Sequence, residues 1–219
     1  MGMKEMNGKV YVWDWVVRGF HWLLVAAFLT SYLSGDEWES LHVYSGYLIV
    51  TLLLVRILWG FIGSKHARFS DFVRSPAAAI AYLKGLAAGK ITHYRGHNPA
   101  GGLMVIALLL SIAMTGFSGL KTYGFEGKGP LAVVSQTQAG SLSASAVETG
   151  FDKDGDHDKE HGDKHQKENP DEEFWEEIHE FFANFTVLLV LLHIAGVIVS
   201  SRVHREDLVG AMITGYKEE

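Results

Sequence analysis

Four long apolar runs alternate with polar segments along the chain. They lie at Val16–Leu33, Val43–Ile62, Gly101–Leu120 and Phe181–Ser201. Each is free of proline and has about the length, roughly 20 residues, that a helix needs to cross the hydrocarbon core of a bilayer. The pattern predicts an all-α fold, an integral membrane four-helix bundle, with residues 1–219 forming a single membrane domain.

The charges of the connecting segments predict the orientation. Residues 63–98 carry six Lys or Arg against the single acid Asp71, whereas residues 35–41 carry three acids and no base. Because basic connections stay in the cytoplasm, we predict a multi-pass protein of the bacterial inner membrane with both termini cytoplasmic. Within the basic connection, Ser75 and Pro76 predict the start of a short helix that runs to about Lys84 and contacts membrane lipid.

Residues 121–178 are predicted to form an extended periplasmic insert between the third and fourth helices. The part at 152–173 is acidic, bears histidines and has no apolar pattern, which is typical of a mobile segment. His157, His161 and His165 recur every four residues, so a helix there could present a metal-binding stripe. The simpler interpretation is a solvated hydrophilic insert.

Composition removes several classes of site. The chain has no cysteine, which excludes disulfides, thiolate zinc sites, iron–sulfur clusters and covalently attached haem. The net charge of −6 comes mostly from the acidic insert and gives no indication of a nucleic-acid partner.

Four histidines fall into two pairs by depth. His179 and His193 are fourteen residues apart, so in one helix they lie on nearly the same face and about 21 Å apart along the axis. His21 lies inside the first helix near the level of His193, and His42 begins the second helix near the level of His179. Each level therefore has one imidazole from an early helix and one from the last helix. A porphyrin bound between facing helices needs this arrangement of axial ligands.

The residues around these histidines are consistent with a bound ring. Gly46, Ala183 and Gly196 lie three or four residues after a histidine and leave room for a flat group against the helix. Arg56 lies within an apolar run at the inner level and needs an anion, which a haem propionate would supply. Arg18, one turn before His21, is a second candidate for this role.

The remaining histidines near the cytoplasmic surface are weaker candidates. His204 lies eleven residues after His193 on the same face and is the chief rival as a ligand. Because it follows the apolar span and is flanked by Arg202 and Arg205, we interpret it as interfacial.

His97 and Asn98 precede the third helix on the same side of the membrane. Either side chain could donate a hydrogen bond to the carbonyl of a quinone. The alternative is that Asn98 caps the third helix, with Pro99 at its first position.

Several short stretches together match a known pattern. They are Val12–Asp14, Arg18–Trp22, Leu41–Tyr47, Arg56–Gly63, Ala67–Phe72, Gly96–Gly102, His204–Glu206 and Ala211–Gly215. With His193, they resemble the bacterial di-haem b-type cytochromes, which include bacterial cytochrome b561 and the membrane subunits of nickel–iron hydrogenases. The resemblance covers the chain apart from about residues 123–171. It implies four helices, two b-type haems, and His21, His42, His179 and His193 as the iron ligands.

The predicted function is transmembrane electron transfer through two bis-His haems, between a membrane quinone or quinol and a periplasmic redox protein such as a c-type cytochrome or a hydrogenase. The sequence leaves open the direction of electron flow, whether the protein itself oxidises quinol or reduces quinone, and whether it forms a homodimer. Two alternatives remain. One is a metal-ion transporter that uses the His- and Asp-rich loop, although the membrane helices lack the carboxylates that such a path usually has. The other is a membrane anchor subunit of a periplasmic oxidoreductase.

Overall fold

A computed structural model describes residues 5–6, 9–35, 37–132 and 170–218 of the chain. Its helices are α1 (Trp15–Ser34), α2 (Glu39–Ile62), α3 (Phe69–Phe72), α4 (Pro76–Ala87), α5 (Pro99–Phe125), α6 (Pro170–His204) and α7 (Leu208–Thr214), with one turn of 3₁₀ helix at Lys65–Ala67. Its short strands are β1 (Glu5–Met6), β2 (Lys9–Tyr11) and β3 (Tyr216–Glu218). The chain divides into two compact units, one of residues 1–116 with 180–219 and one of residues 117–179.

Among the described residues, α1, α2, α5 and α6 are long and apolar enough to cross a membrane. The predicted all-α membrane class and its four long helices are confirmed. The acidic stretch that the sequence assigns to the insert falls outside the described residues up to residue 169, as do His157, His161 and His165.

The last long helix is the one that departs most from its apolar run. It begins at Pro170, eleven residues before the predicted start at Phe181. Proline is well tolerated in the first turn of a helix, and the acids Asp171, Glu172 and Glu173 in that turn interact favourably with the helix dipole. These polar residues extend the helix beyond the apolar span that predicted it.

The predicted short helix is present as α4. Ser75 caps it by accepting a hydrogen bond from the amide of Ala78 at 3.3 Å. The helix continues to Ala87 and leaves Ile80 and Leu83 exposed, as a helix that contacts lipid would.

A small antiparallel sheet, which the sequence pattern did not predict, joins the two ends of the chain in the order β1-β2-β3. Beside it the amides of Val12 and Trp13 donate to the carbonyl of Gly215 at 2.9 and 3.2 Å. Gly215 has a φ of 89°, and a Cβ there would meet the carbonyl oxygen of Trp13 at 2.7 Å. A larger residue at this turn would be strained on both counts.

The carboxylate of Asp14 holds together the start of α1 and the end of α2. It caps α1 by accepting from the amide of Val17 at 2.9 Å, and it accepts from the indole of Trp59 at 3.1 Å and from the hydroxyl of Ser64. Burial alone would raise the pKa of Asp14, but these hydrogen bonds outweigh it and hold the pKa below the ordinary value of 3.8. Asp14 therefore stays ionised at neutral pH.

Buried hydroxyls join α5 to α6 within the first unit. The hydroxyls of Ser111 and Thr186 are 2.7 Å apart, and that of Thr186 also donates to the carbonyl of Phe182 at 2.7 Å. Thr186 is fully buried. Small polar residues of this kind let membrane helices approach closely and satisfy each other.

We predict that Asp14→Ala lowers stability by about 3 kcal/mol, because it removes a helix cap and leaves two further donors without an acceptor. Thermal unfolding of the purified protein in detergent measures this loss. Asp207→Ala is the matched control, since Asp207 caps α7 through the amide of Gly210 at an exposed site. Its expected cost is about 1 kcal/mol. Equal losses in the two variants would contradict the role of Asp14 as a buried link.

Candidate functional site

α1 and α6 bring His21 and His193 within electrostatic range of each other. Both side chains are half-buried. The Nδ1 atom of His21 is buried and has no hydrogen-bond partner among the described residues. Two imidazoles on different helices, one of them with an unsatisfied nitrogen, supply the axial donor set that a haem iron requires.

His42, at the start of α2, is oriented by α1. Its Nδ1–H donates to the carbonyl of Ser31 at 2.9 Å, and the hydroxyl of Ser31 lies 3.4 Å from the same nitrogen. A carbonyl can only accept, so Nδ1 carries the proton and Nε2 is the unprotonated nitrogen. This is the tautomer of a metal-ligating histidine that a backbone carbonyl orients from behind.

His179 is positioned within the second unit by α5. Its Nδ1 lies 3.4 Å from the hydroxyl of the fully buried Ser118. A Cβ at Gly119 would come within 2.9 Å of the His179 ring, so the glycine is what lets the ring lie against the helix. His42 and His179 belong to different units, and their pairing at one level stays a prediction.

Arg56 is a buried cation that forms no ion pair with an acid among the described residues. It is 4% exposed, and its guanidinium lies over the rings of Phe69 and Phe72 at 5.2 and 5.9 Å. Its Nη1 atom has no hydrogen-bond partner among the described residues. The carboxylate of Asp14 interacts with it electrostatically but is already occupied by other donors. Since an uncompensated buried charge costs several kcal/mol, the site favours a bound anion.

Arg18 has a role that the sequence did not indicate. Its Nη1 donates to the carbonyl of Ile213 at 2.6 Å, and the indole of Trp22 donates to that of Met212 at 3.4 Å. These carbonyls lie at the end of α7, where a cation is favourable. The Nε atom of Arg18 is buried without a partner among the described residues, so one donor remains for an anion.

The structure separates the roles of His97 and Asn98. The side-chain oxygen of Asn98 accepts from the amide of Gly101 at 2.7 Å, so the capping interpretation is confirmed. The ring of His97 packs against those of Trp13 and Phe72, both at 4.7 Å, and its buried Nδ1 has no partner among the described residues.

Burial, together with the charge of Arg56, lowers the pKa of His97 to about 3. The imidazole is therefore neutral at physiological pH. A neutral imidazole can donate or accept a hydrogen bond with a ligand, but it is not a cationic proton donor.

Two glycines leave open space on the helices that carry His42 and His193. A Cβ built on Gly46 or Gly196 meets no other atom within 4 Å, whereas one on Gly60 would collide with Phe69. A flat ring has room beside Gly46 and Gly196. In the part of the chain that the structure describes, no cluster of three or more His, Asp or Glu side chains could hold a metal by itself. A porphyrin does not need one, since its own nitrogens hold the iron.

Comparison with known proteins gives one family and one curated relative. The family described as "Prokaryotic cytochrome b561" matches residues 12–215. The relative is a "Probable Ni/Fe-hydrogenase B-type cytochrome subunit" of Rhizobium leguminosarum bv. viciae, 27% identical over 142 residues. The match covers 50% of this chain and 59% of the relative. No solved structure matches.

We predict that Arg56→Met weakens haem retention about 10- to 100-fold, because it removes the charge that would bind a propionate. Haem content after extended washing in detergent is the measurement. Arg74→Met serves as control, since Arg74 is exposed and its guanidinium donates to the carbonyl of Asp71. Undiminished retention in the Arg56 variant would show that its guanidinium does not hold the cofactor.

Proposed function

Because the chain belongs to the prokaryotic cytochrome b561 family, we propose that this b-type electron-transfer cytochrome uses two haems to connect a membrane quinone with a redox protein at the opposite face. The observation that carries the proposal is that His21 and His193, from early and late helices, lie within electrostatic range of each other. They belong to the same unit as Arg56, whose buried Nη1 has no hydrogen-bond partner among the described residues.

The inner haem would be held by His21 and His193. Arg56 would neutralise a propionate, and the open space beside Gly196 would accept an edge of the ring. Haem iron supplies reversible one-electron chemistry, and two axial imidazoles leave no open position for oxygen or substrate. The role of the protein is then to hold the two imidazoles and to balance the charge.

The outer haem would be held by His42 and His179. Each imidazole has its Nδ1 next to an oxygen of a neighbouring helix, the carbonyl of Ser31 for His42 and the hydroxyl of Ser118 for His179. Such outer contacts fix the tautomer and the ring orientation of a ligating histidine. Because an oxygen lies next to Nδ1 in both His42 and His179, we favour a ligand role for these histidines over a packing role.

The quinone would bind near the inner haem, at the ends of the helices beside Arg18 and His97. The neutral imidazole of His97 would donate a hydrogen bond from Nδ1–H to a quinone carbonyl, since this nitrogen lacks a partner in the described chain. We place this side in the cytoplasm of a bacterial inner membrane, from the basic connection between α2 and α5.

The redox partner is proposed to be periplasmic. The printed name of the relative associates that protein with a nickel–iron hydrogenase, which makes a hydrogenase the first candidate. A c-type cytochrome is the second. The acidic residues at 152–173 would favour a partner with a positively charged docking surface.

We predict that replacing any one of the four histidines by Ala removes one of two haems. His21→Ala and His193→Ala should remove the same haem, and His42→Ala and His179→Ala the other. Haem quantitation with redox titration identifies which haem is lost. His66→Ala should keep both haems, because His66 pairs with Asp71 at 3.0 Å. Two haems in any ligand variant would refute that assignment.

Reduction of the haems by quinol in the unaltered protein tests the function itself. Rapid quinol-driven reduction separates an electron carrier from a membrane anchor whose haem is only structural. If the purified protein showed no haem absorption, the metal-transport alternative would be favoured instead.

We predict that deletion of residues 152–168 spares both haems and quinol-driven reduction, and slows only electron exchange with the partner. The expected reason is loss of electrostatic steering, which weakens at high ionic strength. Partner reduction rates at low and high salt measure the effect. Loss of a haem on deletion would show that the segment belongs to the haem-binding fold.

A further inference from the structure

A group of polar side chains outside the proposed ligand set lies where α6 ends. The phenol oxygen of Tyr82, on α4, is 3.0 Å from Nε2 of His204. The rings of His204 and His93 are 5.2 Å apart. Nδ1 of His93 is 3.3 Å from Glu206, whose other oxygen is 2.8 Å from the ammonium of Lys217. Side chains from four separate segments therefore meet at one place.

His204 is the buried member of this group. It is 9% exposed, and its Nδ1 has no hydrogen-bond partner among the described residues. Tyr82 already contacts Nε2, so in either tautomer Nδ1 is left as an unmatched donor or acceptor. A buried polar atom of this kind costs about 1–3 kcal/mol unless water or a ligand satisfies it.

A cavity of about 220 Å³ lies beside the group, and His93, Tyr94, Glu206 and Lys217 contribute to its lining. At roughly 30 Å³ per molecule, this volume accommodates several waters. The side chain of His93 is 63% exposed, so the group is in contact with solvent. Water in this cavity can exchange protons with His93.

A largely buried ion pair lies at the cavity. Glu206 is paired with Lys217, and both side chains are about nine-tenths buried. Lys217 also donates to the carbonyl of Tyr94 at 2.5 Å. The carboxylate of Glu206 therefore contacts the ammonium of Lys217 on one side and the ring of His93 on the other. The ring of Tyr94 lies edge-on to that of Tyr82 at 5.7 Å, and Arg95 also lines the cavity.

The same contacts continue towards the interior. The side chain of Ser200 is near enough to interact with the phenol of Tyr82. Ser200 lies seven residues after His193 and thus about 10 Å from it along α6. Burial raises the pKa of Tyr82, so the phenol keeps its proton at neutral pH and can accept one proton while it donates another.

We propose that His93, His204 and Tyr82 form a proton relay between the aqueous surface and the inner end of the membrane helices. The relay rests on the proposed function, because it supplies the protons of the quinone reaction. Reduction of one quinone to quinol takes two electrons, delivered through the haems, and two protons. Oxidation of quinol returns both, and the relay then works in the outward direction.

Each transfer along the relay balances. A proton from His93 or from cavity water forms a new N–H bond at Nδ1 of His204, and the Nε2–H bond breaks towards the oxygen of Tyr82. The O–H bond of Tyr82 then breaks towards the oxygen of Ser200 while the O–H bond of Ser200 breaks towards an oxygen of the quinone being reduced, which keeps the proton. One proton has moved inward, and the relay resets when the His204 ring and the Tyr82 hydroxyl reorient. A histidine with its two nitrogens in different environments suits this task.

The test compares His204→Gln, His204→Ala and Tyr82→Phe with Tyr94→Phe, in haem-loaded protein reconstituted in lipid. Tyr82→Phe and Tyr94→Phe each remove one phenol hydroxyl from the same surface, but only that of Tyr82 contacts His204. The measurements are the rate of quinol-driven haem reduction against pH, its ratio in H₂O and D₂O, and haem content with dithionite reduction.

For the His204 and Tyr82 variants we expect at least tenfold slower quinol-driven reduction, with a larger solvent isotope ratio and unchanged haem content. Added imidazole should restore the rate of His204→Ala. Tyr94→Phe should match the unaltered protein.

Three results would overturn the relay. They are unaltered rates and isotope ratios in the His204 and Tyr82 variants, a slowing that imidazole does not relieve in His204→Ala, and loss of a haem from the His204 variants. Failure of the unaltered protein to accept electrons from quinol would instead overturn the proposed function, and the relay with it. That outcome would be observed in the unaltered protein, so it is distinguishable from failure of the relay in the variants.

Discussion

The hydrocarbon core of a membrane offers no partner to a polar group, and this constraint applies to the four long apolar helices that the structure describes. Most polar atoms on the long helices are satisfied from within the chain, as in the 2.7 Å contact between the hydroxyls of Ser111 and Thr186. Against this background, four buried atoms on the long helices have no hydrogen-bond partner among the described residues: Nε of Arg18, Nδ1 of His21, Nη1 of Arg56 and Nδ1 of His204. We attribute the atoms of His21 and Arg56 to the proposed cofactor site, and that of His204 to the proposed proton relay.

Local sequence patterns predicted the helices that are determined by residues close together in the chain. Apolar length predicted four helices, and Ser75 and Asn98 were recognisable as caps from the prolines that follow them. The early start of α6 was missed because apolar length does not register a polar first turn led by Pro170. The strands were missed because three residues are too few to show alternation, and β2 pairs with a strand about 200 residues away.

The sequence likewise predicts one part of the candidate site and not the other. Helical spacing singles out His21, His42, His179 and His193, since depth and face follow from counting residues. The groups that hold them do not follow from counting. Ser31 precedes His42 by 11 residues across a helix boundary, and Ser118 precedes His179 by 61. The contact of His204 with Tyr82 spans 122 residues. Such contacts depend on tertiary packing, for which a single sequence has no signal.

The pairing of β2 with β3 also constrains membrane topology by parity. Strands that exchange hydrogen bonds lie on one face of the bilayer, so the chain between residues 12 and 215 must traverse it an even number of times. The even number follows from the strand pairing without any count of charges, and it holds whichever compartment that face adjoins. Reporter domains fused ahead of β2 and behind β3 would consequently give matching signals, and a mismatch between them would reveal an odd crossing.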